Sequence, residues 1–306
     1  MRIVYLGTPD FSVQPLKRLI EENKHQIVGV ITNKDKPVGR KQVLTPPPVK
    51  QYAEQLGLPV FQYDKIKLEG KEDLLKLNPD VMITCAFGQI LSQEILDIPR
   101  LGVINIHASL LPKYRGASPI HYAILNGETQ TGITIMKTDV GIDTGDIILQ
   151  KSLEINPNET CGELFERLSN LGADCIVDAL ELIESGKAQF TKQNEVLATH
   201  TKIIKKEMAK IDWSDSAINV YNKIRAFNPA PVAYCTYQGL PFKIYKASVV
   251  EGCGEAGKIL NATNTLVIAC KSGALSLEMV QKAGGKAMPI TDFLRGNKLL
   301  VGEEFI

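Results

Sequence analysis

From residue 2 to residue 186 the sequence alternates between two hydrophobic periods, and this alternation restricts its fold more than any other feature. Short apolar, largely β-branched runs lie at 2–7, 26–32, 59–62, 80–87, 103–107, 131–137 and 147–155. Helical spacing is expected at 10–22, 49–56, 69–77 and 118–125, and a longer apolar stripe runs from 160 to 186 through Leu164, Leu168, Ile176 and Leu180. Runs such as Gln26–Thr32, apolar on both faces, suit strands of a parallel sheet covered by helices on both sides. Strand alternating with helix predicts an α/β fold, a doubly wound and mostly parallel Rossmann-like sheet. The opening strand ends at Gly7 and turns through Thr8-Pro9-Asp10. With one glycine there, the Gly-x-Gly-x-x-Gly fingerprint is absent and no nicotinamide cofactor is implied.

The chemistry gathers in Gly102–Gly116, Gly-Val-Ile-Asn-Ile-His-Ala-Ser-Leu-Leu-Pro-Lys-Tyr-Arg-Gly. Alternate side chains of a strand share a face, so Asn105 and His107 point one way and Ile104 and Ile106 the other. A polar pair followed by a break at Pro112 describes a strand whose carboxyl end opens into a pocket, where open α/β sheets bind ligands. Histidine moves protons near neutral pH, and an asparagine amide can donate to a developing oxyanion. Asp143, between Gly141 and Gly145 in a turn-rich run, is the best candidate to orient the imidazole. Taken alone, a strand-end histidine satisfied by backbone and an aspartate forming a turn describe the same residues.

Composition mainly excludes. No uninterrupted apolar run reaches the ~20 residues of a membrane-spanning helix. The N-terminus begins directly with a strand, without the pattern of a signal peptide. Six scattered cysteines without a Cys-x-x-Cys pair read as reduced thiols in the cytoplasm, mostly core fillers, and with four separated histidines no metal site is expected. Residues 1–208 carry 24 Lys+Arg against 26 Asp+Glu, and residues 209–306 carry 11 against 8. That mild excess suits contact with an anion, and ordinary fluctuation accounts for it equally well.

Asn33–Pro48 is a polar, proline-rich loop with Lys34, Lys36, Arg40 and Lys41 against a single acid, Asp35. Sixteen residues without periodicity are long for a connection inside a domain; their charge suits phosphate-backbone contact, and a solvated surface loop describes them equally well. The expected organisation is a catalytic domain over 1–189, a polar linker over 190–208, and a C-terminal domain over 209–306. In the last, a short helix ends at Arg225-Ala-Phe-Asn-Pro-Ala-Pro231, and short β-rich runs with turns at 238–241, 251–254 and 271–273 suggest a small barrel.

Asn105-Ile-His107, then Ser109-Leu-Leu-Pro-Lys-Tyr-Arg-Gly116, then Asp139-Val-Gly-Ile-Asp143-Thr-Gly, resembles the signature of the 10-formyltetrahydrofolate-dependent formyltransferases. The Gly7-Thr-Pro-Asp-Phe opening, the Pro37-Val-Gly-Arg40 stretch and the Arg225-Ala-Phe-Asn-Pro run extend the resemblance over nearly the whole chain and narrow it to the bacterial methionyl-tRNA formyltransferases. The resemblance implies formyl transfer from 10-formyltetrahydrofolate to the α-amine of initiator methionyl-tRNA, for translation initiation. It assigns catalysis to Asn105, His107 and Asp143. It makes Phe87, Gly88, Gln89, Ile90 and Leu91 a wall of the pterin pocket, and Ser109, Leu110, Leu111 and Pro112 a folate cradle. It gives the C-terminal domain an OB-like barrel, and tRNA contact to Lys36, Arg40, Lys41, Lys205 and Lys206, with Arg40 foremost. Tyr114 and Arg115 stay open between structural and substrate-facing roles. The expected partners are initiator methionyl-tRNA and the folate donor, with no membrane and a monomeric chain.

Three competitors share parts of this pattern. A sugar-nucleotide formyltransferase shares the signature and a C-terminal barrel. A purine-pathway formyltransferase normally lacks the last hundred residues. A binding protein without catalysis has no need of the trio.

Overall fold

The computed structural model describes residues 1–39 and 41–306. They form two compact units, one of residues 1–116, 131–154 and 165–201, the other of residues 117–130, 155–164 and 202–306.

The first unit is built on β1 (Arg2–Gly7), β2 (Gln26–Thr32), β3 (Lys36–Val38), β4 (Val43–Thr45), β5 (Val60–Gln62), β6 (Val81–Cys85), β7 (Val103–His107), β8 (Arg115–Gly116), β9 (Gln130–Lys137), β10 (Ile147–Glu154) and β11 (His200–Thr201). Seven of these make one sheet in the order β10-β9-β7-β6-β1-β2-β5. The pairs from β5 across to β7 are parallel, and β9 runs antiparallel to β7. Strand order reverses between β1 and β6, so the carboxyl ends of β1, β6 and β7 frame the crevice expected of an open sheet. Ile3 to Leu6, Val30, Ile31 and Val81 to Ile83 are fully buried, as sheet strands covered on both faces require.

The helices of this part of the chain are α1 (Val13–Glu21), α2 (Pro48–Gln55), α3 (Ile66–Glu69), α4 (Lys71–Leu77), α5 (Gln93–Leu96), α6 (Pro119–Leu125) and α7 (Cys161–Glu184). The stripe expected at 160–186 is the single long helix α7, which runs through Gly172. A Cβ there would lie 3.1 Å from Ile106 Cγ2. The glycine costs about 1 kcal/mol of helix propensity, and in exchange α7 presses directly on the apolar face of β7. That contact fixes the strand whose other face carries Asn105 and His107.

The 33–48 loop differs from the irregular segment expected. It contains the hairpin β3–β4, pairing Lys36 with Thr45 and Val38 with Val43. Val38, Val43 and Leu44 are more than half exposed, so no buried face stamps a strand period on the sequence. The helix expected over 69–77 is divided at Gly70 into α3 and α4.

The second unit contains α6, α8 (Ala217–Ala226) and a six-stranded antiparallel sheet. Its strands are β12 (Ala233–Tyr237), β13 (Leu240–Val250), β14 (Ile259–Asn261), β15 (Leu266–Ala269), β16 (Ala274–Lys282) and β17 (Met288–Pro289), followed by α9 (Ile290–Gly296). The order is β12-β13-β16-β15-β14, with β17 on β16. The sheet curls, and the C-terminal residues join its two edges. Ile306 and Thr236 exchange backbone hydrogen bonds on the β12 side, while Phe305 and Ile259 bond to Gly257 and Glu303 on the β14 side. Phe242, Ile244, Leu266, Leu275, Val280 and Phe305 fill the interior.

The expected unbroken 1–189 domain gives up 117–130 and 155–164 to this unit. The reason is packing: α6 lies against α8, and Arg225, 7% exposed, donates from Nε to Asn222 Oδ1 at 3.0 Å and from a terminal nitrogen to the Glu159 carbonyl at 3.3 Å. Among the described residues no helix is long and apolar enough to cross a membrane. All six cysteines are free thiols, five of them buried.

Candidate active site

Strand β7 delivers Asn105 and His107 to one face, and the 139–145 turn brings Asp143 over them. Asp143 sits at φ +54, in the left-handed region that aspartate tolerates better than most side chains. Its carboxylate is held on both oxygens. One carboxylate oxygen accepts the Gly116 N–H at 2.7 Å, and the other accepts Asn105 Nδ2 at 3.3 Å. His107 Nδ1 lies 3.5 Å from the same carboxylate.

The two side chains on β7 are themselves oriented. Thr84 on β6 donates its hydroxyl to Asn105 Oδ1 at 2.9 Å, pairing the end of the amide that the acceptor-only Asp143 carboxylate leaves. His107 is 6% exposed, and its Nε2 faces the Tyr114 carbonyl at 2.9 Å. A carbonyl only accepts, so this assigns the proton to Nε2 and leaves Nδ1 as the nitrogen turned to the carboxylate. The arrangement offers amide N–H groups, an imidazole nitrogen and a carboxylate converging on one point, the equipment for proton transfer beside a developing oxyanion.

A cavity of ≈ 490 Å³ adjoins this cluster, lined by Leu96, Arg100, Val103, Lys137, Thr138, Asp139 and Gly145 among others. Val103 shares the strand face of Asn105, and Asp139 and Gly145 flank Asp143. Among the described residues the buried Thr138 hydroxyl has no hydrogen-bond partner.

The formyl transferase family matches residues 1–180, and the C-terminal domain of formyl transferases matches residues 203–298. Methionyl-tRNA formyltransferase of Geobacter metallireducens is 44% identical over 99% of this chain and 97% of its own length. That of Bacillus cereus is 46% identical over 99% and 98%. The chain belongs to the formyltransferase family, among the methionyl-tRNA formyltransferases. In fold it also resembles an N-formyltransferase from Helicobacter canadensis, solved with folinic acid and dTDP-3-aminofucose. There the TM-score is 0.69, at 22% identity over 92% of this chain and 98% of that one.

In this formyltransferase the other expected site residues fare differently. Phe87 and Leu91 turn into the core, 4% and 7% exposed, while Ile90 is 68% exposed. The positive φ angles of Ala86 and Gly88, +45 and +79, swing the chain between these directions. Ile90 is the exposed apolar side chain of 87–91, while Phe87 and Leu91 pack in the same cluster as the cavity-lining Leu96 and Val103. Gln89 is a structural clip, its amide bonded to Ile66 N, Asn33 Oδ1 and the Tyr63 carbonyl.

The 109–112 turn is likewise held from behind. Thr134 Oγ1 donates to the Ser109 carbonyl and accepts from Leu111 N, and Gln150 donates to the Leu111 carbonyl. The Pro112 carbonyl accepts Thr199 N, and the Leu110 carbonyl accepts Lys113 N. Most backbone groups of the expected folate cradle are thus spent inside the fold, and the cradle's own shape is what they fix.

Lys36 and Lys41 stand exposed on the β3–β4 hairpin, and Lys205 and Lys206 are exposed in the second unit. Arg40 lies outside the described residues. Among the described residues no group of His, Cys, Asp and Glu side chains is placed to hold a metal.

Sequence reasoning missed the supports. Arg115 is 1% exposed. It makes a forked pair with Glu195 at 2.7 and 2.8 Å and donates Nε to Gln193 Oε1 at 3.0 Å. The hydrogen-bonded Arg115 guanidinium holds the Glu195 carboxyl below its usual range. Gln193, Glu195, Thr199 and Thr201 belong to the segment expected to be a linker, yet 193–201 wraps the 112–116 turn within the first unit. No local pattern announces them, since each works through a partner about 80 residues away.

Proposed function

We propose that this chain transfers the formyl group of 10-formyltetrahydrofolate to the α-amine of methionine on initiator tRNA. The observation that carries the chemistry is the junction at Asp143, whose carboxylate is bonded by Asn105 Nδ2 and Gly116 N and lies 3.5 Å from His107 Nδ1. The full-length relation to methionyl-tRNA formyltransferases supports the substrate.

The amine nitrogen attacks the formyl carbon, and the carbonyl electron pair moves onto oxygen. Asn105 Nδ2–H and the protonated Nδ1–H of His107 donate to that oxyanion. Asp143 stabilises the charged imidazole and takes up the amine proton through water. Collapse restores the C=O bond and breaks the bond to N10, which leaves with a proton. The cavity beside Asp143 receives the flat pterin, with Leu96 and Val103 against its ring. Ile90 and the 109–112 turn border the folate from the sheet's carboxyl edge. Lys36, Arg40, Lys41, Lys205 and Lys206 contact the tRNA backbone. The enzyme acts in the cytoplasm as a monomer.

The test is formyl transfer from 10-formyltetrahydrofolate to charged initiator tRNA, run beside elongator methionyl-tRNA and a 4-amino sugar nucleotide. Transfer confined to the initiator is the expected result. Transfer only to the sugar nucleotide keeps the catalytic trio and overturns the substrate.

A further inference from the structure

Asp143 is held by more than its own carboxylate. Gln193 Nε2 donates to the Asp143 carbonyl and to the Gly145 carbonyl, both at 2.8 Å. Its Oε1 accepts Arg115 Nε at 3.0 Å. Arginine only donates and carbonyls only accept, so the amide has a single orientation that satisfies both sides. The Arg115 guanidinium is locked in turn by its forked pair with Glu195 at 2.7 and 2.8 Å, a geometry that fixes direction as well as distance. The chain of contacts runs from a surface carboxylate, through a buried cation and an amide, to the backbone of Asp143.

That backbone needs holding. Asp143 stands at φ +54, a conformation that aspartate reaches at modest cost and that only fixed neighbours hold to one geometry. Gln193 bonds both ends of the strained stretch, residues 143 and 145. The carboxylate then falls within reach of Gly116 N and Asn105. We propose that Gln193 is a positioning residue for formyl transfer, oriented by the Arg115–Glu195 pair, which holds Asp143 in its reacting geometry. The proposal rests on the formyl-transfer reading of the site.

The experiment compares wild type with Gln193→Met, which keeps the side-chain volume and removes both polar atoms. Each is assayed alone in the steady state and again in an Asp143→Asn background, where single-turnover conditions resolve the low rates. Wild-type transfer to initiator methionyl-tRNA establishes the reading itself, and its absence overturns that reading and the proposal together. Given wild-type transfer, Gln193→Met lowers kcat at least about tenfold with the KM for tRNA nearly unchanged. In the Asp143→Asn background the same substitution changes the rate by less than about twofold, because its target is already gone. An equal loss in both backgrounds marks a general structural effect and overturns the proposal, as does an unchanged kcat. Should Gln193→Met fail to fold, Glu195→Gln at the exposed end of the relay replaces it. It is expected to lower kcat several-fold only where Asp143 is intact, and the same loss in both backgrounds counts against the proposal.

Discussion

Thr84 and Asn105 are directly opposite in the parallel β6–β7 register, and the threonine hydroxyl donates to the asparagine Oδ1 at 2.9 Å. An amide is nearly symmetric in shape; the acceptor-only Asp143 carboxylate draws Nδ2 to itself, and the Thr84 hydroxyl pairs with the Oδ1 end that remains. Thr84→Val keeps the volume and removes the donor. It is expected to lower kcat about tenfold while the unfolding temperature changes little, and Thr84→Ser should retain most of the rate. Steady-state kinetics on the two variants, with a melting curve for each, check this.

Asn105 and His107 are proposed to act on the oxyanion. Loss of one such donor costs roughly 3 kcal/mol of barrier. Asn105→Ala or His107→Ala should therefore reduce kcat at least about a hundredfold with near-normal folate binding. A near-normal rate for His107→Ala would remove the histidine from the mechanism.

Gly116 has φ +97, and a Cβ on it would stand 2.7 Å from the Thr201 carbonyl oxygen. Gly116→Ala combines this clash with backbone strain of roughly 1–3 kcal/mol. Its N–H is also a donor to Asp143. Denaturant unfolding should show the stability loss, and kinetics a larger loss of rate than the thermal shift alone accounts for.

His121 on α6 sits against Phe227, and burial pulls its pKa below the usual histidine value. The folded state keeps it neutral while the unfolded chain takes up a proton near pH 6.5. Its contribution is therefore fully present above that pH and is lost as pH falls below it toward the depressed folded value. Melting temperatures from pH 8 to 5 should fall more steeply for wild type than for His121→Gln.

If Arg40, Lys36 and Lys41 meet tRNA phosphates, replacing any one with alanine lowers the slope of log K against log salt by about 0.7–0.9. Binding of charged initiator tRNA at several salt concentrations measures this, with kcat at saturating tRNA as the control.

What was legible in the sequence was periodic or contiguous. β-branched runs announced the strands, and the 103–107 alternation placed Asn105 and His107 on one face because the side-chain period of a strand is two. Asp143 was found through its glycine-flanked turn and the family signature. The β3–β4 hairpin was not legible, because a strand pair with no buried face carries no alternation. Nor was the turn of the chain between Phe87 and Leu91, where Gly88 has a positive φ.

The sequence by itself determined the alternation of strands and helices in the first part of the chain, the mostly parallel sheet, the three residues proposed to react and the family. Those properties are written in local spacing and in a long contiguous motif. Only the tertiary structure decided what holds the trio in place: Thr84 behind Asn105, the Tyr114 carbonyl on His107, and the Glu195–Arg115–Gln193 relay behind Asp143. It also assigned 117–130 and 155–164 to the second unit and used the last four residues to join the edges of its sheet. Hydrogen bonds between residues tens of positions apart leave no period in a sequence. They exist once hydrophobic burial has brought the strands and the 193–201 segment together.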